Sequence, residues 1–229
     1  KYGTAWMQKR REKMGSYSFS SLYQQQPIAK DAGLFDAAMI EVVDLPPARY
    51  KQKVRFYDLA VSAKKTADYS VGLLLAIGQN DQPYVVDVYR DQKRPTDTFE
   101  AIIRNALLDG EDVPIVLEAD NHARAQLDFL LKDERLRNHS IKAVSPVGDK
   151  YTRAAPIASR VNAGHVNILQ AAWNKAFLDE LATFPAGRND DQVDALSGAW
   201  SNLQKPAATM YGMNEWEGFD DFRGDVLGW

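Results

Sequence analysis

The sequence predicts an α/β domain: a mixed sheet of five to six strands with helices on both faces. Two observations lead there. Between Val54 and Tyr89, three segments rich in β-branched and aromatic residues follow one another through short polar connections, as in an antiparallel meander. From Phe99 onward the apolar residues recur at helical spacing, and helical segments alternate with short apolar runs. Three strands followed by helix–strand units fit neither an all-parallel doubly wound order nor a sandwich. A helical crossover into the fourth strand must be right-handed, which lets that strand lie parallel to the first.

Each element has a local reason. Residues 54–58 form the first strand. A polar turn with Lys64, Lys65 and Asp68 leads to a second at 70–77, and the turn at 78–83 leads to a third at 84–89. Phe99, Ile102, Ile103, Ala106 and Leu107 then mark one face of a helix, with Asp97 and Glu100 as a cap pair and Asp109-Gly110 as its end. Residues 114–118 form a short apolar run, read as a buried strand. A helix with Leu127, Leu130 and Leu131 follows, then a strand at 141–144. The next helix carries Ala154, Ile157, Ala158 and Val161 and stops at Gly164. A strand at 166–169 precedes a helix with Trp173, Phe177, Leu178 and Leu181. The last helix spans about 190–203, with Val193, Leu196 and Trp200 on one face, and there is no internal repeat.

Around this body, 48–205, lie two different stretches. Residues 1–47 read as a connector: Trp6, Met14, Tyr17, Phe19, Leu22 and Tyr23 lack a sustained period, and Pro27, Gly33, Pro46 and Pro47 punctuate it. Residues 206–229 form an acidic, aromatic tail with Trp216, Phe219, Phe222 and Trp229, expected to be disordered in isolation or to dock on a partner. The start at Lys1 suggests a piece of a longer protein, and no signal peptide is visible.

Composition narrows the chemistry. Apolar residues make up 45% and charged residues 26%, which is ordinary globular usage. No run approaches the roughly 18 apolar residues that suggest a membrane span. The absence of cysteine excludes disulfide scaffolds, thiolate zinc sites and cysteine nucleophiles. With only His122, His139 and His165, a metal here should be a hard ion held by carboxylates. The formal charge of -3 argues mildly against nucleic acid, but five acids against Arg223 in the tail account for -4, so residues 1–213 carry +1. Basic residues cluster at Lys9, Arg10, Arg11 and Lys13, at Lys64 and Lys65, and at Arg90, Lys93 and Arg94, and a solvated surface is the ordinary reading of each.

Acids interrupt the apolar pattern at three places: Asp58 ends the first strand, Glu118 ends the fourth, and Asp190, Asp191 and Asp194 open the last helix. Singly, each suits a strand end facing water or a helix cap. If the first and fourth strands are neighbours, Asp58 and Glu118 share one sheet edge, and Asp191 and Asp194, three apart, can both face it. Carboxylates meeting without counterions would repel one another, and a divalent metal would resolve that repulsion. Magnesium or manganese takes oxygen ligands and leaves positions for phosphate and water. Two ions about 4 Å apart would stabilise both oxygens of an in-line displacement at phosphorus.

These motifs resemble a family. The pieces are Phe19-Ser20-Ser21-Leu22-Tyr23-Gln24-Gln25-Gln26-Pro27, Phe56-Tyr57-Asp58-Leu59-Ala60 with Asp68-Tyr69-Ser70-Val71, Glu118-Ala119-Asp120, Asp149-Lys150 through Arg153-Ala154-Ala155-Pro156, Gly164-His165-Val166, and Phe184-Pro185 with Asn189-Asp190-Asp191-Gln192-Val193-Asp194-Ala195. In order and spacing, over roughly 15–203, they resemble the nuclease domain of a tailed-phage or prophage terminase large subunit, which has a ribonuclease H-like, RuvC-type fold. The family often has His before the Asp pair, where this chain has Asn189.

The resemblance implies a metal-dependent DNA endonuclease that cuts concatemeric double-stranded DNA during packaging, with a two-ion Mg2+ or Mn2+ site. It implies Asp58, Glu118 and Asp191 as metal ligands, with Asp194 as a fourth. Asp190 is either a ligand or a cap, Lys150 and Arg153 touch phosphate or order the site, and Asp68 and Asp120 stand behind the ligands. It also implies a packaging ATPase domain of the same full-length protein as partner, together with portal and small terminase subunit, in the cytoplasm of the bacterial host and with no membrane. No Gly-x-x-x-x-Gly-Lys-Ser/Thr phosphate loop is present, so these residues should not hydrolyse ATP. Two other readings stay open: a RuvC-like junction resolvase, and a catalytically silent module docking on DNA or portal.

Overall fold

A computed structural model describes residues 33–60, 69–119 and 123–204 of the 229-residue chain. Seven strands make one mixed sheet: β1 Glu41–Val43, β2 Tyr50–Asp58, β3 Ser70–Gly78, β4 Pro83–Asp91, β5 Ile115–Glu118, β6 Ile141–Val144 and β7 Asn167–Leu169. Their order across the sheet is β1-β7-β4-β3-β2-β5-β6. Among the described residues, five α-helices are present: α1 Pro95–Asp109, α2 Ala123–Leu131, α3 Lys150–Asn162, α4 Asn174–Thr183 and α5 Asp191–Leu203.

The meander is present, with β2–β3 and β3–β4 antiparallel. The crossover through α1 brings β5 parallel to β2, as the sequence predicts. The strand count of five to six falls short by one. Glu41–Val43, inside the stretch read as connector, pairs parallel with β7 at the sheet edge. Three residues are too few to show a period, and their pairing depends on a strand more than a hundred residues downstream.

Helices cover both faces. β3 is buried along its whole length, so its apolar run Val71–Ile77 needs no alternation. In β2 the faces alternate: Val54 and Phe56 pack in the core formed with α3, α4 and α5. Tyr57 packs on the opposite face with Ile102, Ile103 and Ala106 of α1 and Leu127 and Leu130 of α2. β5 follows the same rule, with Val116 on the first face and Ile115 and Leu117 on the second.

Helix ends follow local chemistry. α1 starts at Pro95, whose fixed φ suits a first turn, and Arg94 before it makes no side-chain cap bond. The expected Asp97–Glu100 cap pair is therefore absent: Arg94 reaches Asp97 at 3.3 Å, and Glu100 pairs with Arg135 at 3.0 Å. Asp149 caps α3 by accepting the Thr152 N–H at 2.9 Å. α3 closes on Gly164 at φ 70°, with the His165 N–H donating to Arg160 and the Gly164 N–H to Val161.

Candidate active site

Alternation places two acids. Counting by twos from Val54 and Phe56 puts Asp58 on the face that carries α3, α4 and α5, and from Val116 it puts Glu118 there too. The last register pair between these parallel strands is Tyr57↔Leu117, so Asp58 and Glu118 end neighbouring strands one step further on. α5 crosses β2 and β3 with its first turn at this edge, where Asp191 and Asp194 are buried at 6% and 4% exposure. Asp58, Glu118, Asp190, Asp191 and Asp194 line one cleft of about 250 Å³ with Leu59, Ala60, Tyr69 and Lys150. The carboxylates that the sequence singled out therefore converge.

They do not meet without counterions, and that expectation is corrected. α3 supplies two cations from one helical face. Lys150 Nζ lies 2.7 Å from both Asp190 and Asp194. Arg153 donates to Glu118 at 3.1 Å and to Asp194 at 2.8 Å. Burial works against the Lys150 charge, but its bonds to Asp190 and Asp194 prevail and raise its pKa. Both basic residues are thus paired with the cleft's own carboxylates. Asp68 and Asp120 lie outside the described residues.

Two cations leave the cleft over-supplied with negative charge. Burial, then the charges of Glu118, Asp194 and Asp191, push the Asp58 carboxyl up to about 8. Burial also raises Glu118 in spite of Arg153, and Asp194 in spite of Lys150. No hydrogen bond to the Asp58 carboxylate is made among the described residues, and Glu118 Oε2 is buried without a partner. An orphaned buried carboxylate oxygen beside a carboxylate held out of its charged form fits an oxygen-seeking divalent cation. As the side chains stand, no three His, Asp or Glu among the described residues are arranged to grip one ion. Lys150 and Arg153 occupy both oxygens of Asp194 and Oε1 of Glu118.

Asp190 holds the position before α5, yet its side chain caps nothing. That work falls to Glu180 of α4, which accepts the Gln192 N–H at 2.6 Å. Reading the sequence missed Glu180, because an acid on an amphipathic helix looks like a solvated one. Tyr69 was also missed as a wall of the cleft, although it directly precedes β3.

The sequence matches the family model of the terminase RNaseH-like domain over residues 55–203. The chain belongs to the terminase RNaseH-like domain family. Solved structures agree on the fold. The human cytomegalovirus terminase nuclease domain, soaked with Mn and bound to an inhibitor, superposes with a TM-score of 0.57 at 13% identity over 72% of this chain and 88% of that one. A second structure of that domain gives 0.53 at 13% identity over 69% and 86%. The large terminase nuclease of thermophilic phage G20c, with bound zinc, gives 0.50 at 16% identity over 73% and 97%. No curated protein matches the sequence. The RNase H-like α/β fold expected from the motifs is thus the fold of this terminase domain, with seven strands.

Proposed function

We propose that this chain is a divalent-metal-dependent DNA endonuclease: the nuclease domain of a phage or prophage terminase large subunit, cutting concatemeric double-stranded DNA during genome packaging. The observation that carries the reading is the convergence of Asp58, Glu118, Asp191 and Asp194, from three separate chain segments, on one cleft of a terminase-family fold. Asp58, Glu118 and Asp191 are the metal ligands in this reading, with Asp194 as the fourth. Mg2+ or Mn2+ suits an all-oxygen donor set, and the viral and phage nuclease domains with Mn and zinc support divalent metal here. When bound, a pair of such ions stabilises charge on the attacking and leaving oxygens of a phosphodiester.

The chain's own residues supply the rest. Burial of the carboxylates keeps water from screening them. Lys150, half exposed at the rim, and Arg153 beside it are paired with the cleft's carboxylates and, once metal takes their place there, would offer positive charge to an incoming phosphate. Contacts of this kind give affinity with little dependence on base sequence. The ATPase domain of the full-length protein, the portal and the small terminase subunit are the partners, and the host cytoplasm is the setting. Among the described residues, no helix is long and apolar enough to cross a membrane.

Plasmid cleavage tests the proposal. The wild-type chain is expected to nick supercoiled DNA in Mn2+ and not in chelator. Folded Asp58→Ala and Asp191→Ala variants should fall by at least about a hundredfold, as expected when charge stabilisation at the reacting centre is lost. Normal cutting by Asp58→Ala refutes the assignment. Preference for four-way junctions over linear duplex identifies a resolvase instead.

A further inference from the structure

α5 carries two of the candidate ligands in its first turn, and something must hold that turn. Its N-terminal N–H groups need acceptors, and a residue at the cap position ordinarily provides one. Asp190 occupies that position but is turned to Lys150 at 2.7 Å. The acceptor arrives from another helix. Glu180, with a side chain only 5% exposed, takes the Gln192 N–H on one oxygen and Gln192 Nε2 on the other, both at 2.6 Å. Arg90 Nη2 stands 3.5 Å from the same carboxylate, and its guanidinium lies 3.5 Å from the centre of the Tyr69 ring, which walls the cleft.

Burying a carboxylate is unfavourable unless its oxygens are well used. Here both oxygens grip one residue, Gln192, which lies between Asp191 and Val193. Negative charge at this helix end also complements the α5 dipole. We propose that Glu180 is a positioning residue: reaching from α4, it caps α5, fixes the turn that carries Asp191 and Asp194, and leaves Asp190 to the cleft. This rests on the nuclease reading above. Arg90 links the cap to Tyr69, so the two walls of the cleft are braced through one buried carboxylate.

The test compares the full 229-residue chain with Glu180→Ala and Glu180→Gln. Three quantities are read: amide hydrogen exchange at Gln192, the Mn2+ concentration at half-maximal thermal stabilisation, and kcat against KM for plasmid nicking. Folded Glu180→Ala should lose protection at Gln192 and raise the Mn2+ midpoint about 10- to 100-fold, as for partners that orient metal ligands. kcat should fall while KM for DNA holds. Glu180→Gln keeps an acceptor for the Gln192 N–H but turns an NH2 group toward Gln192 Nε2 and Arg90, so its midpoint should fall between those of wild type and Glu180→Ala.

Wild-type exchange and midpoint in Glu180→Ala overturn the proposal, as does a Glu180→Gln variant impaired as badly as Glu180→Ala. If Glu180→Ala does not fold, Glu180→Asp, one methylene shorter, should show the same shifts, and an unchanged midpoint there overturns it. Absence of both Mn2+ stabilisation and cutting in the wild-type chain defeats the nuclease reading itself. Exchange at Gln192 reports on the cap whether or not metal binds.

Discussion

Asp58 ends a buried strand among acids, and its carboxyl is pushed up to about 8 by burial and by Glu118, Asp194 and Asp191. The folded, metal-free protein therefore holds a proton there that the unfolded chain releases near pH 4. Because the folded state binds the proton more tightly, the Asp58 contribution to stability is fully present below that pH, declines as pH rises and is lost above about 8. Without metal, Asp58→Asn should melt above wild type at pH 8 and close to it at pH 4.5. With Mn2+ the order at pH 8 should reverse. Scanning calorimetry in chelator and in Mn2+ reads both, and a metal-free Asp58→Asn that melts lower at pH 8 counts against the electrostatics described here.

Arg55, on the opposite face of β2, shows a different use of charge: it is 2% exposed and donates to Asp109 at 2.7 and 2.8 Å and to Asp87 at 2.7 Å. Arg55→Ala leaves the buried Asp109 unpaired and should cost about 3–5 kcal/mol in urea unfolding. A double Arg55→Met, Asp109→Leu variant should recover most of that loss. Both acidic strand ends were legible in the sequence because they break apolar runs. The Arg55 network was not, since a charged residue within a strand looks the same whether it faces water or a buried partner.

Helix α5 determines how close the acids of its first turn come to the strand ends. It lies tightly on the sheet at Gly198, where a Cβ would stand 2.2 Å from the buried Phe56 ring. Gly198→Ala gains up to about 1 kcal/mol of helix propensity. The overpacking it forces costs about 1–3 kcal/mol, so a net loss is expected in the urea midpoint, relieved by Phe56→Leu. At this scale the sequence was informative wherever periodicity ran long enough: α1 to α5 and β2 to β7 fall where spacing and turn residues predict them. β1 was not legible, because three residues among prolines and acids acquire strand character only from β7. Nor were the ion pairs of Lys150 and Arg153, because helical spacing shows that they share a face without showing what that face meets.

Across the whole molecule, a mixed sheet brings the carboxyl ends of β2 and β5 together, and two helices packed on the same face decide what surrounds them. α5 adds acids and α3 adds bases, so the cleft holds opposed charges. Divalent metal would neutralise the excess acid and release Lys150 and Arg153 toward phosphate. The most direct check is anomalous diffraction from crystals soaked in millimolar Mn2+. Metal binding in the cleft predicts a peak there, bonded by oxygens of Asp58, Glu118 and the Asp191–Asp194 turn, with Arg153 drawn away from Glu118. A cleft without a peak, its ion pairs intact, would contradict it.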